Sequence, residues 1–196
     1  MNNTEPFLPP VEKPGGLMMK LLYRMSRKQF GKVMTPMKVF GARMPFTFSR
    51  MGGRVYQLDR KLDLPPELVY LVRHQVARIN VCEFCMDIGR YKAMRELMAE
   101  EKFQAISDYP ESALFTPAEK AALDYATELT RDKRVSPETF SALAGYYSST
   151  QICGIVYLIA SEHLSNLTNI GLNIHSDMFC DIQARARSQS QQYELR

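Results

Sequence analysis

The chain has 196 residues, of which 45% are hydrophobic and 23% are charged, and its formal net charge at neutral pH is +4. This balance excludes a disordered or fibrous chain, and no segment approaches the roughly 18 apolar residues of a membrane span or has the order of a secretion signal. A chain of this length buries one core, so we expect one domain, and its four cysteines are too few for a disulfide framework, which favours the reducing cytoplasm.

Residues 1–53 form a basic arm that contains nine Lys or Arg residues and two acidic residues, a net charge of +7. The rest of the chain therefore has a net charge of −3. Apolar residues of the arm recur at helical spacing: Leu17, Met18, Leu21, Leu22 and Met25. Such a segment can lie on an anionic membrane surface, bind nucleic acid, or dock on its own domain or a neighbouring subunit. Pro36, Gly41 and Pro45 divide the arm into short pieces, which favours docking over peripheral membrane contact. No nucleic-acid-binding motif accompanies the charge, so we expect no nucleic acid partner.

Two helices are predicted on either side of a Cys-x-x-Cys pair. The first begins at Pro65 and Pro66, because proline fits the first helical turn, where its missing N–H breaks no bond. Apolar residues then recur at the period of a core-facing helix as far as Ile79. Cys82 and Cys85 open the second helix, whose apolar residues are Ile88, Tyr91, Met94 and Leu97.

Residues 106–114 are rich in turn formers and are predicted to be a linker, after which three further helices begin. Each begins with a Ser or Thr that can cap the first turn, and the last is a long apolar helix that stops at Gly171. The start signals are Thr116, Pro117 and Glu119; Ser136 and Pro137; Ser148 and Gln151. No convincing strand pair is present, so the sequence predicts an all-α helical domain over residues 54–182, followed by a frayed tail at 183–196.

The Cys-x-x-Cys motif of Cys82 and Cys85 is the feature that points to covalent chemistry. Two thiols at this spacing can close a short disulfide, and the free N–H groups and positive dipole end of a helix start favour the thiolate. A zinc site competes with this interpretation, but zinc needs about four N or S ligands, and Cys153 and Cys180 stand alone. Inert packing in a helical core is the other alternative. Charged neighbours indicate a partly wet segment, which favours redox chemistry, and we expect no metal or cofactor.

Three stretches of the sequence resemble a known family. They are ELVYLVRHQVARINVCEFCMDIGRYKAM, FTPAEKAALDYATELTRDKRVSPETF and VYLIASEHLSNLTNIGLNI. From about residue 60 to residue 175 they are similar to the alkyl hydroperoxidase D-like (AhpD-like) proteins of the carboxymuconolactone decarboxylase superfamily. The resemblance implies an all-α AhpD-like helical bundle, a homo-oligomer, and thiol peroxidase or disulfide reductase activity centred on Cys82 and Cys85. Decarboxylase members of the superfamily lack the cysteine pair, which argues against the lactone reaction.

The resemblance is incomplete at the residues with which the family moves protons. Tyr70 stands where the family has a glutamate twelve positions before the first cysteine, and Gly89 replaces its histidine four positions after the second. His74 lies one helical turn after Tyr70, and histidine has a usual pKa of about 6.5, which suits proton transfer. We therefore name Tyr70 and His74 as candidate catalytic residues beside the two cysteines, and interpret His163 as structural.

The sequence thus predicts an oxidoreductase that reduces a small-molecule peroxide or disulfide through its cysteine pair and is reset by an external dithiol or thiol protein. From its position at the helix start, Cys82 is expected to be the exposed sulfur that meets the reductant. One alternative is a non-catalytic or redox-sensing helical oligomer on the same scaffold. Another is a carboxymuconolactone decarboxylase-like enzyme that acts on a small carbonyl or lactone substrate.

Overall fold

The computed structural model describes residues 5–96 and 100–180, apart from the side chain of Tyr56. Within these ranges the chain is helical and contains no strand, which confirms the predicted all-α fold of a single domain. The α-helices are α1 (Leu17–Phe30), α2 (Pro45–Asp59), α3 (Pro66–Ile79), α4 (Glu83–Arg95), α5 (Glu100–Gln104), α6 (Pro117–Asp132), α7 (Pro137–Ala144) and α8 (Ser149–Gly171).

The helices begin where local capping chemistry is strongest. The hydroxyl of Thr116 accepts from the Glu119 N–H while the Glu119 carboxylate accepts from the Thr116 N–H, which closes a capping box at the start of α6. Ser148 and Gln151 close the same box at α8, and Ser136 caps α7. Each cap satisfies backbone N–H groups that the first turn leaves without a partner. The predicted starts of all three helices are therefore confirmed.

The centre of the domain is α3, which packs against α4, α6 and α8. Its apolar face meets small residues of α6 and branched residues of α8 in one buried cluster. The members of this cluster include Leu68, Val72, Val76, Ala122, Ala126, Ile155, Leu158 and Ile159. Burying a side chain of this size contributes roughly 1.5–3 kcal/mol, so this cluster holds the three helices together. The end of α3, after which the chain turns to Cys82, is thus held by both α6 and α8.

The basic arm is helical and packs on the domain. A π-helix at Met37–Gly41 lies between α1 and α2, and Gly41 is so close to the Phe48 ring that a Cβ on the glycine would lie 3.0 Å from it. The boundary expected between residues 53 and 54 falls inside α2. Leu97 and the tail at 183–196 lie outside the described residues.

The segment expected to be a linker at residues 106–114 begins in regular structure. A 3₁₀ helix at Ala105–Asp108 directly follows α5. Ile106 and Tyr109 are buried, and the Tyr109 hydroxyl donates to the Asp124 carboxylate at 2.6 Å. The linker prediction was therefore wrong at this end, because two core side chains anchor a stretch whose turn-forming residues suggested a loop.

The outer face of α8 is an exposed, uncharged stripe that runs along the helix. Its larger members, Leu164 and Leu167, are 50% and 66% exposed. The stripe consists of Cys153, Val156, Ala160, Leu164, Leu167 and Ile170. Among the described residues, no helix combines the length and apolar character that crossing a membrane requires.

Candidate active site

A Schellman motif closes the turn between α3 and α4. The Cys82 N–H donates to the Ala77 carbonyl at 2.9 Å, and the Val81 N–H donates to the Arg78 carbonyl at 3.1 Å. Val81 has φ 57°, a left-handed conformation that glycine usually adopts at this position and that strains a β-branched residue. Cys82 is also the N-cap of α4. Cys82 therefore both makes the hydrogen bond that ends α3 and begins the first turn of α4.

Cys82 and Cys85 are joined by a disulfide, with their Cα atoms 5.3 Å apart. Both are buried, at 1% and 7% exposure. Cys82 packs with Ala77 and Met86, whereas Cys85 lines a cavity. The expectation that Cys82 is the exposed sulfur was wrong, because the Schellman turn places this residue against the end of α3.

The cavity that Cys85 lines has a volume of about 720 Å³ and lies between α2, α3, α4 and α8. One part of its wall is apolar and includes Phe40, Phe48, Met51, Val55, Phe84 and Ile88. The other part is polar and includes Asp59, Arg73, Lys92, Glu162 and Asn169. This volume falls within the range of about 300–1,000 Å³ that is usual for pockets of drug-sized ligands. The cavity is thus large enough for a bulky organic molecule.

Asn169 of α8 contacts the sulfur of Cys85. Its side-chain nitrogen donates to the Cys85 sulfur at 3.3 Å, and Asn169 is only 6% exposed. Cys85 also lies in the first turn of α4, where the free N–H groups and helix dipole stabilise negative charge. Two separate features of the site therefore favour the thiolate of Cys85 when the pair is reduced.

Tyr70 and His74, the candidate catalytic residues of α3, both line the same cavity. His74 is 9% exposed and its Nδ1 atom is buried with no hydrogen-bond partner among the described residues. Burial, together with the positive charges of Arg78 and Arg90, lowers the pKa of His74 to about 4. A histidine with this pKa is neutral at physiological pH and is a weak proton acceptor there.

Gly89 lines the cavity one turn after Cys85 on α4. A Cβ added at Gly89 would meet no atom within 4 Å. The position at which the resembled family carries a histidine is therefore open space in this chain. Lys92 follows at the next turn, so Cys85, Gly89 and Lys92 share one face of α4.

A network of buried charges crosses the cavity wall. Arg73 donates to Glu162 at 3.0 Å, to Asp59 at 2.8 Å and to the Ser161 hydroxyl at 2.9 Å. Burial lowers the pKa of the Arg73 guanidinium, but the two carboxylates outweigh this effect and the pKa is raised. Burial raises the pKa of Glu162, and Arg73 offsets this only in part. The network ties α2, α3 and α8 together beside the cysteine pair.

Lys92 reaches the same cavity from α4. Lys92 is exposed to solvent, and its side chain lines the wall of the cavity. Desolvation by nearby protein atoms lowers the pKa of Lys92, and Glu162 opposes this effect. Among the described residues, no ion pair to Lys92 within 4.0 Å is present. A lysine with a lowered pKa loses its proton more readily than an ordinary one.

His163 belongs to a polar bridge between the end of α3 and α8. The Asn80 side-chain nitrogen lies 3.1 Å from His163 Nδ1 and 2.9 Å from the Asn166 oxygen to which it donates. Asn166 in turn donates to Glu162 at 2.7 Å. Within the described ranges, no three His, Cys, Asp or Glu side chains converge in the way that a metal ion requires.

Four residues of the site were not among the sequence-based candidates: Arg73, Lys92, Glu162 and Asn169. A signal for two of them exists in the sequence of α8. Glu162, Asn166 and Asn169 recur at helical spacing in an otherwise apolar helix, and all three are buried. Such a polar stripe on a buried face indicates internal partners, because unpaired polar groups there are costly.

Two bacterial proteins have sequences similar to this chain. The Escherichia coli K12 protein YnjA is 30% identical over an alignment of 181 residues, which covers 89% of this chain and 96% of YnjA. The Bacillus subtilis 168 protein YdfG is 26% identical over 104 residues, or 52% of this chain and 71% of YdfG. No family model matches the sequence.

Solved structures share the fold at low sequence identity. The debrominase Bmp8, as a variant in complex with 2,3,4-tribromopyrrole, has a TM-score of 0.76 and 19% identity, with 92% of this chain and 96% of Bmp8 covered. A peroxidase-related protein of Ralstonia eutropha JMP134 with an alkylhydroperoxidase AhpD core has a TM-score of 0.67 and 16% identity, with 87% and 95% covered. The chain is thus a member of the family of YnjA, and it shares its all-α fold with AhpD-like proteins.

Proposed function

We propose that this protein is a thiol-dependent oxidoreductase that reduces peroxides or disulfides through Cys82 and Cys85. The observation that carries the proposal is the placement of the two sulfurs. Cys85 lines the 720 Å³ cavity, and Cys82, to which it is disulfide-bonded, does not. Cys85 can therefore react with a substrate in the cavity, and Cys82 is close enough to form a disulfide with it afterwards.

In the proposed reaction the Cys85 thiolate attacks the terminal oxygen of a hydroperoxide. The sulfur–oxygen bond forms as the oxygen–oxygen bond breaks, and the departing alkoxide takes a proton to become an alcohol. Cys85 is left as a sulfenic acid. The Cys82 thiolate then attacks the Cys85 sulfur, and the disulfide forms as the sulfur–oxygen bond breaks and the departing hydroxide takes a proton to become water.

An external dithiol or thiol protein returns the pair to its reduced state. Two thiol–disulfide exchanges transfer two electrons, so each cycle consumes one peroxide and one dithiol. A disulfide substrate enters the same cycle by exchange with the Cys85 thiolate. Because both cysteines are buried, we propose that the reductant reaches the pair through the cavity.

The proposal is tested with single cysteine variants and cumene hydroperoxide. The Cys82→Ser variant should stop after one turnover, with a sulfenic acid on Cys85 that dimedone labels and mass spectrometry locates. The Cys85→Ser variant should consume no peroxide. Cys153→Ser is the matched control, because Cys153 is exposed on α8, away from the pair.

Two outcomes would contradict the proposal. If Cys85→Ser consumes peroxide as fast as the unmodified chain, Cys85 is not the attacking residue. If the reduced pair reacts with neither peroxide nor a disulfide such as oxidised dithiothreitol, a non-catalytic scaffold is the better interpretation.

A second candidate function is the reduction of a halogenated ring. Two observations favour it: the volume and aromatic wall of the cavity, and the extended likeness to the debrominase Bmp8. In this reaction the sulfur of Cys85 takes the halogen, the ring carbon takes a proton, and Cys82 displaces halide as the disulfide forms. Bromide release from 2,3,4-tribromopyrrole, measured beside cumene hydroperoxide consumption, distinguishes the two candidates.

A further inference from the structure

The helix α1 presents a buried face, a basic face and an exposed apolar face. The buried face carries Met19, Tyr23, Ser26 and Phe30. Met19 and Tyr23 pack with Val33 and Met37 in one core cluster. The Tyr23 hydroxyl donates to the Val11 carbonyl at 2.6 Å. The helix is therefore held firmly on the domain, and its other two faces are free to meet a partner.

The apolar face of α1 is exposed to solvent along most of the helix. Its members are Leu17, Met18, Leu21 and Met25, which are 84%, 44%, 56% and 55% exposed. Leu17, Leu21 and Met25 lie one turn apart, so they form one continuous row. Large apolar side chains exposed together in this way mark an interaction site.

The basic face lies beside this row. It consists of Lys20, Arg24 and Arg27, which are exposed; Lys28, also exposed, continues the line of the apolar row, and α1 contains no acidic residue. Among the described residues, no carboxylate pairs with any of these four cations within 4.0 Å. Two neighbouring lysines differ, because Lys32 pairs with Asp177 and Lys38 pairs with Glu12. The positive charge of α1 is therefore available to an external partner.

We propose that α1 docks the protein on the surface of an anionic lipid bilayer. A helix whose apolar row and cationic row lie side by side can insert the first between acyl chains while the second meets anionic headgroups. Its axis then lies parallel to the membrane surface, with the apolar row about 5–10 Å below the headgroup level. Lysine and arginine stems also extend along apolar surface while their charged ends stay in water.

A second copy of the chain fits this face less well. A symmetric contact between two α1 helices would bring their basic faces together, and like charges in contact are unfavourable. The exposed stripe of α8 carries no charged residue and does not have this obstacle. Nucleic acid would satisfy the cations but would leave the apolar row in water. The bilayer is the partner that satisfies both rows.

Docking through α1 would also fix the orientation of the candidate active site. Met34 and Phe48 pack against the buried cluster of α1, and both also line the cavity. The wall of the cavity and the proposed membrane-facing helix are thus neighbours. This relationship does not depend on the reaction that the cysteine pair performs.

The test is flotation of the full-length chain with vesicles of pure phosphatidylcholine and of phosphatidylcholine with phosphatidylglycerol. We expect binding to the anionic vesicles that weakens as salt is raised. Each cation near an anionic surface contributes about 1 kcal/mol, so the double variant Lys20→Gln with Arg24→Gln should bind about 30-fold more weakly. Leu17→Ser with Leu21→Ser should lose binding as well.

Matched controls remove equivalent side chains elsewhere. Arg131→Gln with Arg134→Gln removes two exposed cations at the end of α6, and Leu114→Ser removes an apolar residue that is 46% exposed. Both should bind vesicles as the unmodified chain does, and circular dichroism checks that every variant is folded.

Four results would overturn the proposal. The first is the absence of binding to anionic vesicles, and the second is equal binding to both kinds of vesicle. The third is light scattering that shows a smaller particle for Leu17→Ser with Leu21→Ser, which assigns the face to a protein contact. The fourth is duplex DNA binding that is lost in Lys20→Gln with Arg24→Gln, without vesicle binding, which assigns the face to nucleic acid.

Discussion

Asn169 of α8 and Cys85 of α4 meet with 3.3 Å between the amide nitrogen and the sulfur. A donor at this distance stabilises a thiolate more than a thiol, because hydrogen bonds to charged groups are the stronger ones. The contact joins two helices whose residues are 84 positions apart in sequence.

We expect Asn169→Ala to slow alkylation of the reduced Cys85 by about tenfold or more, because a hydrogen bond to a charged group contributes about 1.5–3 kcal/mol. The measurement is the pH dependence of iodoacetamide labelling, followed by mass spectrometry. Thr168→Ala is the control, since Thr168 lines the cavity and donates only to the Leu164 carbonyl. An unchanged apparent pKa of Cys85 in Asn169→Ala would show that the contact does not stabilise the thiolate.

Lys92 should matter more than His74 for removing the thiol proton. His74 has a pKa of about 4 and accepts a proton weakly at pH 7, whereas Lys92 lines the same cavity and has a pKa lowered from its usual alkaline value, which makes its neutral form easier to reach. General base assistance contributes about 10² to 10⁴ in rate, so Lys92→Met should lower peroxide consumption by up to this factor. His74→Gln should have a smaller effect. Equal losses in both variants, in single-turnover stopped flow, would contradict this assignment.

Gly89→His combined with Tyr70→Glu should raise the rate of peroxide reduction. These changes restore the residues that the resembled family carries at the two positions, and the Cβ of residue 89 would meet nothing within 4 Å. The gain should be about tenfold to a hundredfold if the pair acts as a general base and its partner. Gly89→Ala with Tyr70→Phe is the control. A rate that is no higher than this control would mean that the proton already has an efficient acceptor.

Stability should fall in mild acid because of His74. Its folded pKa is about 4, against 6.5 for the ordinary side chain, so between these values the unfolded chain binds a proton that the folded chain does not. The free energy of unfolding therefore falls as pH is lowered through this window, by up to about 1.4 kcal/mol per pH unit. Urea unfolding at pH 7 and pH 5 should show a smaller difference in His74→Gln than in the unmodified chain. Burial also lowers the pKa of His163, but that side chain is only half-buried, so His163→Gln should reduce the difference less than His74→Gln does.

The uncharged stripe of α8 should hold copies of the chain together. Leu167, which is 66% exposed, lies on this stripe, and an apolar row without charge is suited to a second copy of itself. Light scattering should give a multiple of the 22.5 kDa chain mass, and Leu167→Glu should shift it towards one chain. Leu114→Glu is the control outside the stripe. A mass of one chain for the unmodified protein would contradict this prediction.

The sequence was most informative where structure is determined locally. Thr116 with Glu119 and Ser148 with Gln151 each close a cap within one turn, so the residues that decide the helix start are neighbours in the chain. The resemblance to the AhpD-like proteins predicted the helical bundle and the cysteine pair as its reactive centre. The features that the sequence did not predict depend on contacts between residues far apart in the chain. Ile106 is buried in a cluster that also includes Leu71, Ala93 and Leu123, which are distant in the sequence.

The candidate site shows the same division. Spacing alone identified Cys82 and Cys85, but which sulfur faces the cavity depends on the Schellman turn and on helices far along the chain. Asn169 and Arg73 acquire their roles only through contacts with other elements. Val81 at φ 57° could not be expected either, because a β-branched residue rarely adopts this conformation.

The disulfide between Cys82 and Cys85 closes a very small ring, since the two residues are three positions apart. In the chain-entropy account, a cross-link over about four residues stabilises a fold by about 2 kcal/mol, against about 4.7 kcal/mol for a loop of 100 residues. The pair also lies between α3 and α4, and α3 is held by the apolar cluster that it shares with α6 and α8. Opening the ring therefore leaves most of the folding free energy in place. We therefore expect the redox state of the pair and the folding of the chain to be nearly independent, so that reduction of the disulfide should leave the chain folded.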